Sequence, residues 1–474
     1  MNRYRKLFSD TVIFALGTFG SKLLVFLLMP LYTSLLSPEE YGTAELITGA
    51  ASLLIPVACV GITNGIFRFV AERGSDKQEV FSSGIALLGA GLTATVLIGI
   101  PVLIFFPYRY ETLLVILYVI FADIQAVCAQ YVRATDRTRL FAVQGIFNTG
   151  VTVLFNLIFL MIFHLGVTGY VLATIAGNLC TILLLILTAK LHRAFSPRKI
   201  RKETVVELLK FSIPMVPTTV CWLITDLSDR YMVTWFCGSV ENGIYSASYR
   251  IPSVVNLLSG VFMQAWQFSA VTQSSDREEC GKFYSEVFRG FLSVVFIGTG
   301  GLILFSRLLT RIMLNAAYYE AWRYMPTLLC AAALEAIVSF LATVYLIRKK
   351  TMHSFLTAMT GSVLNIVLNL FLIPRLGALG AAVATMISYA AVLILRLWDA
   401  PRLLTFRRYL PRQLASILLL CGAAAAMTVD PPGRLWICAG CVALIGAVNF
   451  PALLSGMRDL LAFRSKKPKK DEEI

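Results

Sequence analysis

The chain has 474 residues and a formal charge of +15, from 42 Lys and Arg against 27 Asp and Glu. Hydrophobic residues make up 57% and charged residues only 15%, with a mean hydropathy of +0.75, whereas soluble domains carry about 25% charged residues. This excludes a soluble globular enzyme, a disordered chain and a nucleic-acid-binding domain, and leaves a polytopic membrane protein.

In chain order, the apolar blocks predict fourteen spans, over residues 9–34, 41–66, 80–106, 111–132, 140–163, 166–189, 209–235, 241–267, 285–306, 322–346, 353–373, 378–396, 409–428 and 435–456. Each is near the ~20 residues a helix needs to cross the hydrocarbon core. The runs are continuous and do not alternate, so the expected fold class is all-α and not a β-barrel. Asn2-Arg3-Tyr4-Arg5-Lys6 leads into a block too long for the core of a cleavable signal peptide. With the N-terminus cytoplasmic, Arg3, Arg5, Lys6, Arg68, Arg73, Lys77, Arg133, Arg137, Arg139 and the six Lys and Arg of 190–208 fall inside. The opposite side receives Arg109, Arg307, Arg311, Arg323, Arg375 and Arg434. This asymmetry predicts an even number of spans with both termini cytoplasmic, and it accounts for most of the net charge without a nucleic-acid partner. The tail after Met457 ends in Lys466, Lys467, Lys469 and Lys470 before Asp471-Glu472-Glu473. It reads as a solvated stop or as a basic patch for anionic membrane lipid.

The sequence echoes itself. Leu165-Gly166-Val167-Thr168-Gly169, followed by Ala173-Thr174, matches Leu376-Gly377-Ala378-Leu379-Gly380, followed by Ala384-Thr385, at an offset of 211. Ser37-Pro38-Glu39-Glu40-Tyr41-Gly42 resembles Gly238-Ser239-Val240-Glu241-Asn242-Gly243 at an offset of 201. Both pairs join consecutive spans on the outer side. Six spans per copy keep the same orientation, so the repeat is expected to be parallel. The expected division is a lobe over 1–189, a basic cytoplasmic linker over 190–208, a second lobe over 209–400, two further spans over 401–457 and a charged cytoplasmic tail over 458–474.

Ionisable groups at membrane depth mark candidate sites. Lys22 lies near the middle of the first span, with Glu45 and Asp123 as candidate ion-pair partners. Asp226 and Arg230 are spaced i, i+4 in the seventh span, close to Asp229, and read as an ion pair or as coupling carboxylates. Pro214 and Pro217 precede them and should bend that helix, and Pro30 is a further kink candidate. Arg250 sits about ten residues into the eighth span, beside Tyr245 and Tyr249. A guanidinium there fits a phosphate, or neutralises Asp226 or Asp229. Arg68 and Arg133 end spans two and four on the cytoplasmic side. Asn365 and Asn369, one turn apart, either glue helices or line a cavity. Trp266 reads as an interface anchor. No phosphate-binding Gly-rich motif, metalloprotease His-Glu motif or serine elbow is present, and His164, His192 and His353 are scattered. The ten cysteines have no zinc-site spacing and read as apolar filler. No cofactor is expected.

Lys22 followed by Leu28-Met29-Pro30-Leu31-Tyr32-Thr33 and Leu36-Ser37-Pro38-Glu39-Glu40-Tyr41-Gly42 resembles the opening of bacterial oligosaccharide flippases. These form the polysaccharide-export branch of the multidrug/oligosaccharidyl-lipid/polysaccharide (MOP) superfamily. Tyr131-Val132-Arg133-Ala134-Thr135-Asp136-Arg137 is similar to the family's segment after the fourth span. Pro214, Pro217, Asp229-Arg230 and Gly243-Ile244-Tyr245-Ser246 resemble its central stretch, and Asn365, Asn369, Ile373-Pro374, Gly377, Gly380 and Ala384-Thr385 its later one. Ala265-Trp266-Gln267-Phe268 departs from it, since many relatives carry proline after the alanine-tryptophan pair.

The resemblance implies a V-shaped transporter of the bacterial cytoplasmic membrane, with two six-helix lobes around a central cavity. It would move a polyprenyl-pyrophosphate-linked glycan from the inner to the outer leaflet, alongside a polysaccharide polymerase and glycosyltransferases. Relatives set cationic residues against the pyrophosphate, and Lys22 and Arg250 match that role, with a proton or Na⁺ gradient as the candidate coupling. Two alternatives are a cation-coupled multidrug exporter on the same scaffold and a membrane enzyme or scaffold of envelope polysaccharide assembly.

Overall fold

The computed structural model describes residues 28–71, 76–105, 109–135, 137–213, 215–272, 277–348 and 350–465. Among them the secondary structure is entirely helical. The chain divides into two compact units, Met1–Ser246 and Ala247–Ile474.

In the first unit α1 is Met29–Leu35, α2 Pro38–Ala58, α3 Ile62–Ala71, α4 Lys77–Phe105 and α5 Arg109–Ala134. Then follow α6 Thr138–Asn156, which continues as a π-helix over Leu157–Ile162, α7 Gly166–Ala189, α8 Leu191–Ala194, α9 Lys202–Ser212, α10 Met215–Cys237 and α11 Ser239–Ser248. The start of α2 follows from its sequence. Ser37 Oγ accepts from the Glu40 N–H at 3.3 Å while the Glu40 carboxylate accepts from the Ser37 N–H at 2.9 Å. This reciprocal cap, with Pro38 at the first helical position, fixes where the helix begins. The continuous span expected over 41–66 is instead two helices. Pro56 removes a backbone donor, and Val60 (φ 51°) and Gly61 (φ 66°) turn left-handed, which ends α2 before α3 starts. Ile62, Ile66 and Val70 of α3 then pack with Phe81 and Leu88 of α4 and Val127 and Val132 of α5.

The expected basic linker is folded onto this unit. Lys199 Nζ meets Asp76 at 2.7 Å, Arg201 Nε meets Glu79 at 3.3 Å, and the Ser196 N–H donates to Ser82 Oγ at 2.9 Å. Arg68 and Phe69 of α3 and Lys210 and Glu207 of α9 border a depression of about 650 Å³ beside Asp76 and Glu79.

The second unit contains α12 Pro252–Thr272, α13 Arg277–Leu304, α14 Ser306–Met313, a 3₁₀ segment Ala316–Arg323, α15 Met325–Ile347, α16 Thr351–Leu376, α17 Ala378–Leu403, α18 Leu410–Val429 and α19 Arg434–Ser465. Helix α15 is apolar on all sides and most of it is buried, the pattern of a core helix. Phe340 of α15 stacks on Trp266 at 5.2 Å, Phe288 at 5.1 Å and Phe291 at 5.1 Å. Trp266 is therefore no interface anchor: it is buried, and its Nε1–H donates to Thr343 Oγ1 at 3.2 Å.

Eleven helices among the described residues are long and apolar enough to cross a membrane: α2, α4–α7, α13 and α15–α19. The other three expected spans differ for local reasons. Most of 9–34 lies outside the described residues. Helix α10 has sufficient length but carries Asp226, Asp229 and Arg230. The span expected over 241–267 is not continuous: it breaks at Tyr249–Ile251 into α11 and α12. Pro252 lacks a donor and disfavours helical backbone at the residue before it, which places the interruption there.

Candidate functional site

Three polar groupings stand out in the first unit. In the first, α2 meets α10. Arg230 Nη1 lies 2.5 Å from Glu45 Oε2, with the side chains 20% and 6% exposed. The Tyr231 hydroxyl donates to the Leu46 carbonyl at 2.9 Å. Gly49 lets Leu227 and Tyr231 approach, since a Cβ there would already touch both at 3.4 Å. Glu45, one of the two candidate partners of Lys22, pairs here with Arg230. The side chain of Asp226, the residue expected to pair with Arg230, lies outside the described residues. Asp229 is fully buried and accepts from the Tyr245 hydroxyl at 3.0 Å.

The second grouping is where α2 and α11 cross. A Cβ on Gly42 would lie 2.3 Å from the Ser239 carbonyl oxygen, and one on Gly243 1.7 Å from that of Pro38. Asn242 Nδ2 donates to the Gly42 carbonyl at 3.2 Å. Gly42 and Gly243, 201 residues apart, therefore each pack onto the first residue of the other's helix, Ser239 of α11 and Pro38 of α2.

The third is Asp123 on α5. It is fully buried, and neither carboxylate oxygen has a hydrogen-bond partner.

At the end of this unit that carries the linker, Arg133 stacks over Phe67 at 4.6 Å and Phe141 at 5.5 Å, and Arg68 over Phe211 at 4.6 Å. Phe67 and Arg68 are neighbours on α3, so the fold brings the two arginines to one end of the unit. Below the depression, Lys199 holds the Asp76 carboxyl under the usual carboxylate range, chiefly by its hydrogen bond.

In the second unit, Arg250 is half-buried on the break between α11 and α12, where the Ser253 hydroxyl donates to its carbonyl at 2.6 Å. Asn365 and Asn369 are both fully buried. Asn369 donates to Asn365 Oδ1 at 3.1 Å and Asn365 to Thr385 Oγ1 at 3.2 Å, an amide chain that joins α16 to α17. Pro30 is the second residue of α1 and Pro217 the third of α10. Lys22 and Pro214 lie outside the described residues.

Two charged residues were missed by the sequence reading. Glu335, halfway along α15, accepts from Asn256 Nδ2 at 2.8 Å, and Asn256 is exposed. It is the one charged residue in the apolar run of α15, and that isolation is the signal that would have found it. Arg396 was read as the end of its span, but α17 continues to Leu403 and carries it inward. There it is fully buried: Nη1 donates to the Val338 carbonyl at 2.7 Å and Nε to Thr357 Oγ1 at 3.0 Å. Arg396 ties α15, α16 and α17 together through neutral acceptors.

The chain has relatives of known kind. The profile of the family described as "Polysaccharide biosynthesis protein" matches residues 7–267. No curated protein matches the chain. Among solved structures it is similar to the lipid II flippase MurJ in an inward closed conformation, with a TM-score of 0.70 and 16% identity over 95% of this chain and 100% of that one. It is also similar to an inward-facing multidrug resistance MATE family transporter of the MOP superfamily, with a TM-score of 0.62 and 15% identity over 81% of this chain and 94% of that one. A MOP superfamily transporter from Pyrococcus furiosus gives a TM-score of 0.55 and 15% identity over 83% of this chain and 95% of that one. The fold is that of the MOP superfamily.

Proposed function

We infer, from the premise that this chain belongs to the polysaccharide biosynthesis protein family, that it is a flippase for a polyprenyl-pyrophosphate-linked glycan. The observation that carries this reading is the family match, which covers more than half of the chain. The flippase fold also spans 95% of the chain, against 81% for the exporter fold. The reading places the protein in a bacterial cytoplasmic membrane with fourteen spans and both termini inside. Its product would pass to a polysaccharide polymerase, and its cargo would come from glycosyltransferases.

The lobes over 1–189 and 209–400 are proposed as a parallel repeat. The reciprocal packing of Gly42 on Ser239 and of Gly243 on Pro38 supports it, since a two-fold relation requires each contact to be returned. Lys22 and Arg250 each offer a cation to the pyrophosphate as it leaves water. Arg250 stands on broken helix, where the backbone already leaves the regular ladder. Arg68 and Arg133 are proposed to meet the headgroup at the cytoplasmic entrance. Asn365 and Asn369 support the second lobe from within, and Pro30, Pro214 and Pro217 allow the helices to bend. Asp226 and Asp229 are the coupling candidates on α10.

Deletion of the gene tests the reading. Lipid-linked glycan should accumulate in the inner leaflet, and the wild-type chain should clear it. Arg250→Ala and Lys22→Ala at matched protein levels should not. Disappearance of the lipid-linked glycan itself on deletion would instead point to the synthetic enzyme or scaffold. An unchanged glycan pool with sensitivity to cationic drugs would point to the exporter.

A further inference from the structure

Arg407, Arg408 and Arg412 fall at the crossing from α17 to α18, and no Asp or Glu occurs between Asp399 and Asp430. The positive-inside bias explains basic charge in such a loop. It does not explain why this loop is held in one geometry.

The loop is pinned to α13. Phe406 packs on Tyr284 at 4.8 Å and on Phe288 at 5.9 Å. The Arg407 N–H donates to Ser285 Oγ at 2.9 Å, and a Cβ on Gly281 would lie 2.2 Å from the Thr405 carbonyl oxygen. Tyr409 is left-handed (φ 50°), an uncommon state for a bulky residue, and the Arg407 guanidinium lies over its ring at 5.2 Å. Arg408 Nη1 donates to the Leu397 carbonyl at 3.1 Å. Arg412 is half-buried; its Nε and Nη2 donate to Asn449 Oδ1 at 3.0 and 2.9 Å, and Nη2 also meets Ser293 Oγ. All these acceptors are neutral. Among the described residues none of the three arginines meets a carboxylate, and Arg289 of α13 adds a further positive charge beside Arg412.

With Tyr409, Leu410 and Pro411, the three arginines border a depression of about 440 Å³. Like charges repel across it, so an anion seated there relieves repulsion as well as gaining contacts. Guanidinium forks match phosphate oxygens. From the rim, Leu410, Leu414 and Leu418 stand exposed at one-turn steps on one face of α18, an apolar lane that leads away from the charge. Trp398, exposed and next to Leu397, marks the level of the membrane interface. A free phosphate has no use for the lane, and a zwitterionic headgroup brings a cation that the arginines repel.

We propose that Arg407, Arg408 and Arg412 hold the phosphodiester headgroup of an anionic phospholipid, its acyl chains lying along Leu410, Leu414 and Leu418. The lipid would brace α18 against α13 and α19. The site does not rest on the flippase reading, since no glycan takes part in it.

The test is native mass spectrometry of the purified full chain titrated with dioctanoyl phosphatidylglycerol, dioctanoyl phosphatidylcholine or inorganic phosphate. Wild type should bind phosphatidylglycerol saturably and at least tenfold more tightly than phosphatidylcholine. Arg407→Gln/Arg408→Gln should weaken phosphatidylglycerol about 25-fold, roughly fivefold for each arginine, and leave phosphatidylcholine unchanged. Arg407→Gln alone, whose side chain only overlies Tyr409, should lose about fivefold and covers the case in which the double variant does not fold. Arg198→Gln/Lys202→Gln removes two exposed charges from the linker and should change nothing. Equal loss in that control, no preference for phosphatidylglycerol, or inorganic phosphate binding as tightly as the lipid would each overturn the proposal. So would polyprenyl pyrophosphate displacing phosphatidylglycerol from this site, which would assign it to the cargo. Normal glycan exchange by a variant that has lost the phospholipid would leave both the site and the transport reading standing.

Discussion

Gly243→Ala should destabilise the protein more than its one added methyl group suggests. The new Cβ would lie 1.7 Å from the Pro38 carbonyl oxygen, 2.6 Å from its carbon and 3.1 Å from the Gly42 nitrogen. Ordinary carbon contacts begin at roughly 3.5 Å, so α2 and α11 would have to separate by nearly 2 Å. The obstacle is backbone, and no rotamer change relieves it. The separation would also stretch the 3.2 Å bond from Asn242 to the Gly42 carbonyl. Overpacking costs typically 1–3 kcal/mol, and the rigid obstacle puts this case at about 3 kcal/mol. Gly260→Ala is the control, because nothing lies within 4 Å of its Cβ, and alanine in a helix gains about 0.5–1 kcal/mol over glycine. Gly42→Ala meets Ser239 at 2.3 Å and should behave like Gly243→Ala. One separation of the helices accommodates both methyl groups, so the double variant should cost clearly less than the sum. Melting curves of the purified variants decide it. A Gly243→Ala protein as stable as Gly260→Ala would refute the crossing, and with it the structural support for the repeat.

Glu45→Gln or Arg230→Met alone should each cost about 3 kcal/mol, the lower end for stranding one partner of a buried pair, because Arg230 keeps 20% of its side chain exposed. The double replacement should recover most of that loss in the same melts. At the linker, Asp76→Asn keeps the cap that the Asp76 carboxylate provides to the Gln78 N–H at 3.0 Å while removing its charge. Lys199 lowers the folded-state value of Asp76, so the stabilisation is complete above the unfolded value near pH 4 and fades as pH falls through the lowered folded value. Because the pair is exposed, wild type and Asp76→Asn should differ by about 1 kcal/mol or less at pH 7, and by nothing measurable once the medium is acid enough to protonate Asp76.

Composition and run length were enough to read an all-helical membrane chain, because bilayer thickness leaves few ways to bury long apolar runs. Helix breaks were not legible from hydropathy. The backbone turns at Val60–Gly61 and at Tyr249–Ile251, inside the spans expected over 41–66 and 241–267. The prolines at 56 and 252 are the local cue, but an intramembrane proline bends, ends or merely starts a helix depending on its neighbours. Long-range pairing was not legible: Glu45 reaches Arg230 from a helix 185 residues away in sequence. Trp266 shows the same limit: its place at a span end suggested the interface, but the Phe340 cluster draws it inward. The two glycines of the short echo, Gly42 and Gly243, both lie where backbones touch, a close approach that only the missing Cβ allows.

The most direct test of the central claim is leaflet exchange of a polyprenyl-pyrophosphate-linked glycan in proteoliposomes. The glycan is loaded in both leaflets, and its exposure is read with a membrane-impermeant glycan-oxidising reagent. The wild-type chain should make the inner-leaflet pool reactive on the time scale of the assay. Arg250→Ala should slow that exchange about 10- to 100-fold, the equivalent of one lost charge-assisted contact of roughly 1.5–3 kcal/mol. Exchange no faster than in protein-free liposomes, with a correctly folded chain, would contradict the account.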